Sequence, residues 1–220
     1  MTEPASPRTK VRRGADRAVY ETEQIHEILD RGLIAHVGVM TDDGPLVLPM
    51  AYGRDDDYLY LHGAAANHLL GTGVDQEICV TVTHVDGLVM ARTPFHNSMN
   101  YRSVVVRGRA EKIDDPDAKS RALKIITDHV VPNWDLVRAP SETDVRKTIA
   151  IQVPLTEASA KVRAGDPIDE PDDMAGPWWA GVVPITSRFE EPYAAADLTS
   201  GADTPAGFAA LAGRDTDDRP

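Results

Sequence analysis

Short β-rich runs alternate with turn sequences through the middle of this chain, and this alternation constrains the fold more than any other feature. Residues 33–40 and 46–52 are apolar runs, and the connecting Thr41-Asp-Asp-Gly-Pro45 has the chemistry of a tight turn. A charged turn precedes another β-rich run at 58–62, and residues 78–83 form a further one. Because strands joined by short turns pair antiparallel, the sequence predicts a mainly β fold of antiparallel strands.

The stretch 84–113 contains two more predicted strands and a bend. Asp86-Gly87 supplies a turn signal, so we expect Leu88 to Ala91 to begin a return strand. The run Tyr101 to Ile113 is long for a strand, and we expect it to cross from one side of a barrel to the other, with Gly108 at the bend. The overall expectation is a small antiparallel β-barrel with peripheral helices.

Helix signals flank these strands. We expect one helix with Thr22 as its cap, through Leu29. A second is expected to begin at the N-cap Asp115 and continue to about Val130. The remaining predicted elements are a short helix over 63–70, a brief helix after a capping box at 141–144, and strands at 148–154 and 178–185.

The composition along the chain predicts one domain with two tails. A length of 220 residues suits a single β domain, and we assign residues 20–193 to it. Residues 1–19 are polar and charged, which predicts a flexible N-terminal arm. Residues 194–220 are rich in Ala, Gly, Asp and Thr with few large apolar side chains, which predicts a mobile C-terminal tail.

The negative net charge of the chain argues against binding to nucleic acid and to anionic membranes. Lys and Arg total 23 against 35 Asp and Glu, so the net charge of −12 repels nucleic acid and anionic membranes. No apolar stretch is long enough to span a bilayer, and the basic start leads into no apolar signal core. Cys79 is the single cysteine, and the histidines lack zinc-site spacing, so no metal site is predicted. We expect a soluble, cytoplasmic protein.

The segment after the strand ending at His62 is a candidate phosphate site. Gly63 permits close backbone approach, the three alanines after it leave room, and Asn67 or His68 can donate hydrogen bonds to phosphate oxygens at a helix N-terminus. The alternative is an ordinary strand-to-helix connection, because neither the P-loop nor the dinucleotide fingerprint is present.

Residues 93–103 are the most chemically dense stretch of the chain. Asn100 or Ser103 can bond to the edge of a flat heteroaromatic ring, Tyr101 can stack on it, and Arg102 can pair with a phosphate. The alternative is the polar entry to an edge strand, with solvated side chains.

Several motifs in this order resemble a known family. They are Tyr60-Leu-His-Gly-Ala-Ala-Ala-Asn-His68, Val80-Thr-Val-Thr83 with Asp86-Gly-Leu-Val89, and the run from Ala91 to Val104, followed by Glu157 to Arg163 and Trp179 to Val182. Together they resemble the flavin-binding split-barrel proteins related to pyridoxamine phosphate oxidase, in the flavin-nucleotide-binding branch that includes nitroimidazole-resistance proteins. The resemblance covers residues 13–184 and implies an antiparallel split β-barrel.

The resemblance also implies a cofactor and its site. It implies FMN at the interface of a homodimer, with the ring against barrel strands and the phosphate near the loop after the third strand. The residues that it implies are Pro49, Met50, Ala51 and Tyr52 along the ring; His62, Gly63, Ala64, Asn67 and His68 around the phosphate; Asn100, Tyr101, Arg102, Ser103 and Val104 completing the pocket; and Lys161 and Arg163 at the phosphate or the partner subunit.

One departure from pyridoxamine phosphate oxidase itself affects the expected occupant. Asn67-His68 stands where that enzyme has a paired Arg-Lys phosphate grip, so its vitamin-synthesis activity is not expected. Relatives of this barrel hold a deazaflavin or a haem instead of FMN. For haem, the candidate axial ligands are His36, His62 and His96.

These features predict an FMN-dependent oxidoreductase acting on a small molecule or electron donor, in which the flavin carries hydride or electrons and the protein positions it. No catalytic side chain is assigned. The alternatives are a non-catalytic flavin or haem carrier, a deazaflavin-dependent reductase, and a structural dimer of the same barrel. Ser98 beside His96 leaves a weak hydrolase alternative, since no nucleophile-elbow sequence surrounds it.

Overall fold

The computed structural model describes residues 3–64, 74–199 and 201–218, and within them strands form two antiparallel sheets. The larger sheet contains β1 (Ala18–Val19), β2 (Ala35–Thr41), β3 (Gly44–Met50), β6 (Glu77–Met90), β7 (Ser98–Arg109), β10 (Ala158–Arg163) and β11 (Gly181–Pro184). The smaller sheet contains β4 (Tyr52–Arg54), β5 (Tyr58–Ala64), β8 (Glu111–Lys112) and β9 (Thr148–Pro154).

The mainly β, antiparallel split-barrel fold is confirmed, although the sheets do not close into one barrel. The larger sheet has the order β1-β10-β7-β6-β2-β3 with β11 on β6, and the smaller has the order β4-β5-β9-β8. The core lies between them and is made of fully buried side chains such as Val37, Leu59, Val80, Val106 and Ile151. Burial of this apolar surface is the main force that holds the sheets together.

The predicted hairpin at residues 33–52 is confirmed. Strands β2 and β3 pair from Ala35 opposite Met50 to Thr41 opposite Gly44. Gly44 has a φ of +111°, a backbone conformation that side chains disfavour, and the Thr41 hydroxyl donates to its carbonyl at 2.8 Å. The turn chemistry of the sequence therefore fixes this register.

The predicted turn at Asp86-Gly87 is wrong, because β6 is one continuous strand of 14 residues. Its register with β7 shifts between Val85 and Gly87, which makes Asp86 the extra residue of a β-bulge. The 12-residue strand β7 pairs with β6 on both sides of the bulge. The predicted strand and its return strand are thus two halves of a single strand.

The run Tyr101 to Ile113 crosses from one sheet to the other, as predicted, but the break lies at Ala110. Gly108 pairs regularly with Ile78, so it does not mark the bend. Its lack of a side chain has another use, because a Cβ there would lie 3.1 Å from Val153 and 3.3 Å from Pro154 of the facing sheet. The two sheets therefore approach each other closely at Gly108.

The helices α1 (Thr22–Arg31), α2 (Pro116–Val130), α3 (Glu142–Arg146) and α4 (Ala206–Ala209) lie outside the sheets. Asp115 caps α2 as predicted, since its carboxylate accepts from the Ala118 N–H at 2.8 Å, and the capping box before α3 is also confirmed. Thr22 is the first residue of α1 and not its cap, which is Glu21.

The structure also differs from the sequence-based expectations at strands β5, β10 and β11. Strand β5 continues through Gly63 and Ala64, so these residues do not open a helix; the rest of the predicted helix, residues 65–70, lies outside the described residues. Strand β10 was not predicted, and it lies between β1 and β7. The predicted last strand is present as the shorter β11.

Two parts of the C-terminal segment, residues 185–189 and 213–218, run beside each other next to the larger sheet. Backbone hydrogen bonds join Phe189 N–H to Arg214 O at 3.0 Å and Thr216 N–H to Ser187 O at 2.9 Å. Ile185 N–H donates to Asp86 O at 3.0 Å, which ties this segment to the bulge. The division of the chain at residue 194 stays a prediction. Among the described residues, no helix is long and apolar enough to cross a bilayer.

Candidate functional site

An open cleft of about 570 Å³ lies at the end of the larger sheet, where α1, β6 and the C-terminal segment meet. A volume of this size is typical of sites for small molecules and cofactors. The cleft is lined by residues 31–34, His36, Pro49, residues 83–86, Arg102, residues 185–187 and residues 215–217.

Arg102 is the fixed cation of the cleft. Its Nε and Nη2 donate to the two carboxylate oxygens of Asp86 at 3.0 and 2.6 Å, and Nη2 also donates to Asp217 at 2.6 Å. The β-bulge makes the first contact possible, because an extra residue re-aims the side chain at that position. Hydrogen bonding to Asp86, and then to Asp217, raises the pKa of Arg102 above its usual range, so the guanidinium stays charged.

His84 lies directly opposite Arg102 in the register of β6 and β7. Its Nε2 is 3.0 Å from the carbonyl oxygen of Ile28, and its Nδ1 is 3.4 Å from the Asp217 carboxylate. Each ring nitrogen therefore faces an oxygen acceptor, and the imidazole is held on both sides. Arg102 Nη2 and the Nδ1 edge of His84 both lie beside one carboxylate, that of Asp217.

A second group of predicted site residues ties β10 to its neighbours. Arg163 is only 7% exposed and bonds to the Asn100 side chain, and to the carbonyls of Gly165 and Asp166 at 3.0 Å each. Lys161 donates to the carbonyl of Arg13 at 2.8 Å. In this chain these two cations are engaged by the protein's own oxygens.

The structure brings together only part of the predicted site. Pro49 and Arg102 line the cleft, and Asn100, Tyr101, Ser103, Lys161 and Arg163 occupy adjacent positions of the same sheet. Tyr52 and Val104 are fully buried in the core, where the Tyr52 hydroxyl donates to Leu29 O, and Met50 and Ala51 are partly buried against the two core clusters. His62, Gly63 and Ala64 lie on β5 in the other sheet, paired with β9, and Asn67 and His68 lie outside the described residues.

The three candidate haem ligands occupy different places. His36 is exposed and lines the cleft. His62 has a buried Nδ1 with no hydrogen-bond partner in the described part of the chain, and burial lowers its pKa. His96 bonds through Nδ1 to Ile168 O at 2.9 Å and is not among the residues of the cleft.

Sequence reasoning missed His84, Asp86 and Asp217 as members of the site. Asp86 carried a signal that was assigned to a turn, and His84 directly follows the β-rich run at 78–83. Asp217 lies 115 residues from Arg102, in a stretch with no local signal at all. Its contact depends on how the C-terminal segment returns to the sheet, which a local pattern does not encode.

One face of the larger sheet exposes apolar side chains. Strand register puts Met40, Val47, Val85, Met99 and Val183 on the same side, since opposed residues and every second residue share a face. Their exposed fractions range from 41% for Val85 to 61% for Met40. Several exposed apolar side chains on one face of a sheet are a feature of interaction sites.

The chain is similar to known proteins over most of its length. Residues 21–162 match the family model for pyridoxamine 5'-phosphate oxidase. Among solved structures, the flavocytochrome Anf3 from Azotobacter vinelandii is 36% identical, over 95% of this chain and 98% of that one, with a TM-score of 0.91. The FAD and heme binding protein from Mycobacterium smegmatis is 30% identical, over 91% of this chain and 98% of that one, with a TM-score of 0.86.

A more distant likeness covers a smaller share of the chain. A candidate 5-nitroimidazole antibiotic resistance protein from Bacteroides thetaiotaomicron is 27% identical, over 66% of this chain and 86% of that one, with a TM-score of 0.55. No curated protein matches the sequence. The family resemblance stated from the sequence motifs is confirmed. The chain belongs to the pyridoxamine 5'-phosphate oxidase family of split-barrel proteins.

Proposed function

We propose that this protein is a flavin-dependent oxidoreductase that also binds haem and passes electrons between the two groups. The observation that carries the proposal is the share of the chain that matches two solved structures, the flavocytochrome and the FAD and heme binding protein. The family model ends at residue 162, whereas the flavocytochrome and the FAD and heme binding protein match 95% and 91% of the chain. The likeness to these two therefore extends well past residue 162, into the part of the chain that contributes residues 185–187 to the wall of the cleft.

The residues of the cleft fit a flavin. Ile34, Pro49 and Val85 supply apolar surface, and Thr83 and Arg102 supply hydrogen-bond donors, in a volume of about 570 Å³. Apolar walls with a few placed polar groups are what a ring cofactor requires. A bound flavin would supply hydride and electron transfer, and the protein's part is to position it and to exclude water.

A haem is most often held by an imidazole nitrogen, and it would have to lie beside the flavin, because a cleft of about 570 Å³ accommodates one ring cofactor. His36 is the only one of the three candidate ligands that lines the cleft, and its side chain is exposed. His96 Nδ1 donates to Ile168 O, and His96 is not among the residues that line the cleft. We therefore propose His36 as the residue that holds the iron.

We further propose that two copies of this chain pair through the exposed apolar face of the larger sheet, defined by Met40, Val47, Val85, Met99 and Val183. This apolar face lies along one side of the larger sheet, and the same sheet also borders the cleft. We therefore propose a second copy of this chain as the partner that covers it. Burial of such a patch stabilises a dimer, since apolar area removed from water contributes about 25 cal/mol per Å². Sedimentation of Val47→Asp should give a monomer where the unsubstituted chain gives a dimer.

The decisive experiment is the absorbance spectrum of the purified protein, together with chromatography of the released cofactors. We expect flavin bands and a Soret band, and chromatography separates FMN, FAD and deazaflavin. His36→Ala should lose the Soret band and keep the flavin, whereas the matched variant His96→Ala should keep both. Protein that takes up no flavin when offered FMN and FAD in excess would refute the proposal.

A second measurement distinguishes an oxidoreductase from a carrier. The bound flavin should be reduced by a small-molecule donor such as a reduced nicotinamide, and the haem bands should then shift to those of the ferrous form with no reductant other than that donor. A flavin that is not reduced by any nicotinamide, and a haem that stays oxidised, would leave only the carrier function.

A further inference from the structure

The cleft at the end of the larger sheet has more acidic than basic side chains in its walls. Its charged lining residues are Asp86, Asp215, Asp217, Arg31 and Arg102. Arg31 is compensated from outside the cleft, because its Nη2 lies 2.8 Å from the carboxylate of Glu27. Both arginines are thus paired with carboxylates of the protein itself, and the aspartates decide the charge that remains.

Arg102 carries one positive charge and contacts two carboxylates. Its guanidinium donates to both oxygens of Asp86 at 3.0 and 2.6 Å, and to Asp217 at 2.6 Å. His84 adds no charge in its neutral form, since its ring proton is on Nε2, which donates to Ile28 O. This group therefore keeps one net negative charge. Its side chains are partly shielded from solvent, where charges interact more strongly than in bulk water, so an anion at this wall is repelled.

Asp215 lines the same cleft, and its carboxylate is only weakly paired. Within the described part of the chain, its Oδ1 is buried and accepts no hydrogen bond. Arg188 Nε lies 3.5 Å from this oxygen, but the Arg188 side chain is 64% exposed, and exposed ion pairs contribute little. A shielded carboxylate oxygen without a donor is destabilising. A donor on a ligand would satisfy it.

The backbone fixes the position of this carboxylate. Gly213 N–H donates to Phe189 O at 2.8 Å, and Thr216 N–H donates to Ser187 O at 2.9 Å, on either side of Asp215. The carboxylate is therefore held at the wall of the cleft. The donor that it lacks can be supplied by a group that enters the cleft.

We infer that the part of a ligand that enters this cleft is neutral or cationic, and that Asp215 accepts a hydrogen bond from a nitrogen donor on it, such as an imide, amide or amidinium N–H. The inference rests on the proposed function in one respect, which is that a ring ligand binds in this cleft. The consequence is that the ring lies against the aspartates, whereas the phosphate of a flavin nucleotide or the carboxylates of a haem lie away from them.

The test uses three probes of similar shape and different charge: benzamidine is cationic, benzamide is neutral and benzoate is anionic. Each is titrated into the whole chain, freed of any bound cofactor, and binding is followed by the amide NMR shifts of residues 84–87 and 213–218. Benzamidine should bind about fivefold more tightly than benzamide, the upper end for a partly exposed ion pair. Benzoate should bind more weakly than benzamide. Added salt should reduce the preference for benzamidine.

Variants at two aspartates identify the residue responsible. Asp215→Asn should bind benzamidine and benzamide about equally, because the Asn side-chain oxygen still accepts a hydrogen bond but carries no charge. Asp215→Glu should keep the preference for benzamidine. Asp218→Asn is the matched control and should also keep it, since its side chain is exposed and does not line the cleft.

Two results would overturn the inference as a whole: benzoate that binds as tightly as benzamidine, and a chain that binds none of the three probes. An unchanged preference in Asp215→Asn would overturn the role of Asp215. Failure to take up flavin or haem would refute the proposed function alone, because the probes need no cofactor.

Discussion

Substitution of Gly32 by Ala tests the junction of α1, β4 and α2 next to the cleft. Gly32 follows the last residue of α1 in an ordinary extended conformation, with φ −78° and ψ 142°, so an Ala there suffers no backbone strain. A Cβ would, however, lie well inside contact distance of the Tyr52 hydroxyl and of a methyl group of Val82. Both side chains are essentially fully buried and have no solvent to move into. We therefore expect the structure to shift around the new methyl group.

The magnitude follows from two effects. Overpacking of a dense core costs about 1–3 kcal/mol. Displacement of Tyr52 also weakens the hydrogen bond from its hydroxyl to Leu29 O, which costs about 0.5–1.5 kcal/mol. The carbonyl itself keeps the Gly32 N–H at 3.2 Å. The free energy of unfolding should fall by about 2–4 kcal/mol, which lowers Tm by roughly 5–15 °C for a chain of this size.

The assay is urea unfolding followed by far-UV circular dichroism. Gly207→Ala is the control, since a Cβ at Gly207 meets nothing within 4 Å and lies in α4. Gly32→Ala should also cost about 1 kcal/mol less in a Tyr52→Phe background, because the hydroxyl that it contacts is gone. A Gly32→Ala variant within about 0.5 kcal/mol of the unsubstituted chain, a smaller effect than most buried substitutions give, would refute the steric reasoning. An equal cost in both backgrounds would refute the role of the hydroxyl.

Two further predictions concern helix caps. Asp115→Ala removes the carboxylate that accepts from the Ala118 N–H, so it should lower the free energy of unfolding by about 1 kcal/mol. The same urea-unfolding assay measures this loss. An unchanged unfolding midpoint would contradict the capping role. Hydrogen bonds from Ser141, chiefly from its backbone N–H, lower the pKa of Asp144 to about 2. Because the pKa of Asp144 is lower in the folded state, its carboxylate stabilises the fold above pH 4, and this contribution is lost as the pH falls through about 2. A carboxyl NMR titration should give that pKa. A value near 4 would contradict the cap.

Local sequence signals predicted the elements that local chemistry determines. The turn sequence before Pro45 gave the hairpin of β2 and β3, and Asp115 and Ser141 gave the helix starts, because a turn or cap needs only neighbouring residues. Asp86-Gly87 has the same turn chemistry, yet it forms a bulge. There the hydrogen bonds of the long partner strand β7 outweigh the local preference of the dipeptide.

Contacts between distant parts of the chain, and not local sequence, determine the strand and the site residues that were missed. Strand β10 has the sequence Ala-Ser-Ala-Lys-Val-Arg, which is poor in β-branched and aromatic residues, and it forms a strand because β1 and β7 flank it. The resemblance predicted that Tyr52 lines the ring. Its side chain is instead buried in the core, where its hydroxyl donates to Leu29 O. The ion pair of Arg102 with Asp217 joins residues that only the tertiary fold brings together.

The position of β10 in the sheet has a consequence for synthesis of the chain on the ribosome. Strand β10 completes the edge of β7, but roughly 50 residues separate the end of β7 from the start of β10. At about 5–20 residues per second, that edge stays unpaired for roughly 3–10 s after β7 has been translated. An unpaired strand edge is a template for other chains. The nascent protein therefore passes through a window of aggregation risk that ends only when residues 158–163 emerge, and high contact order of this kind also slows folding afterwards.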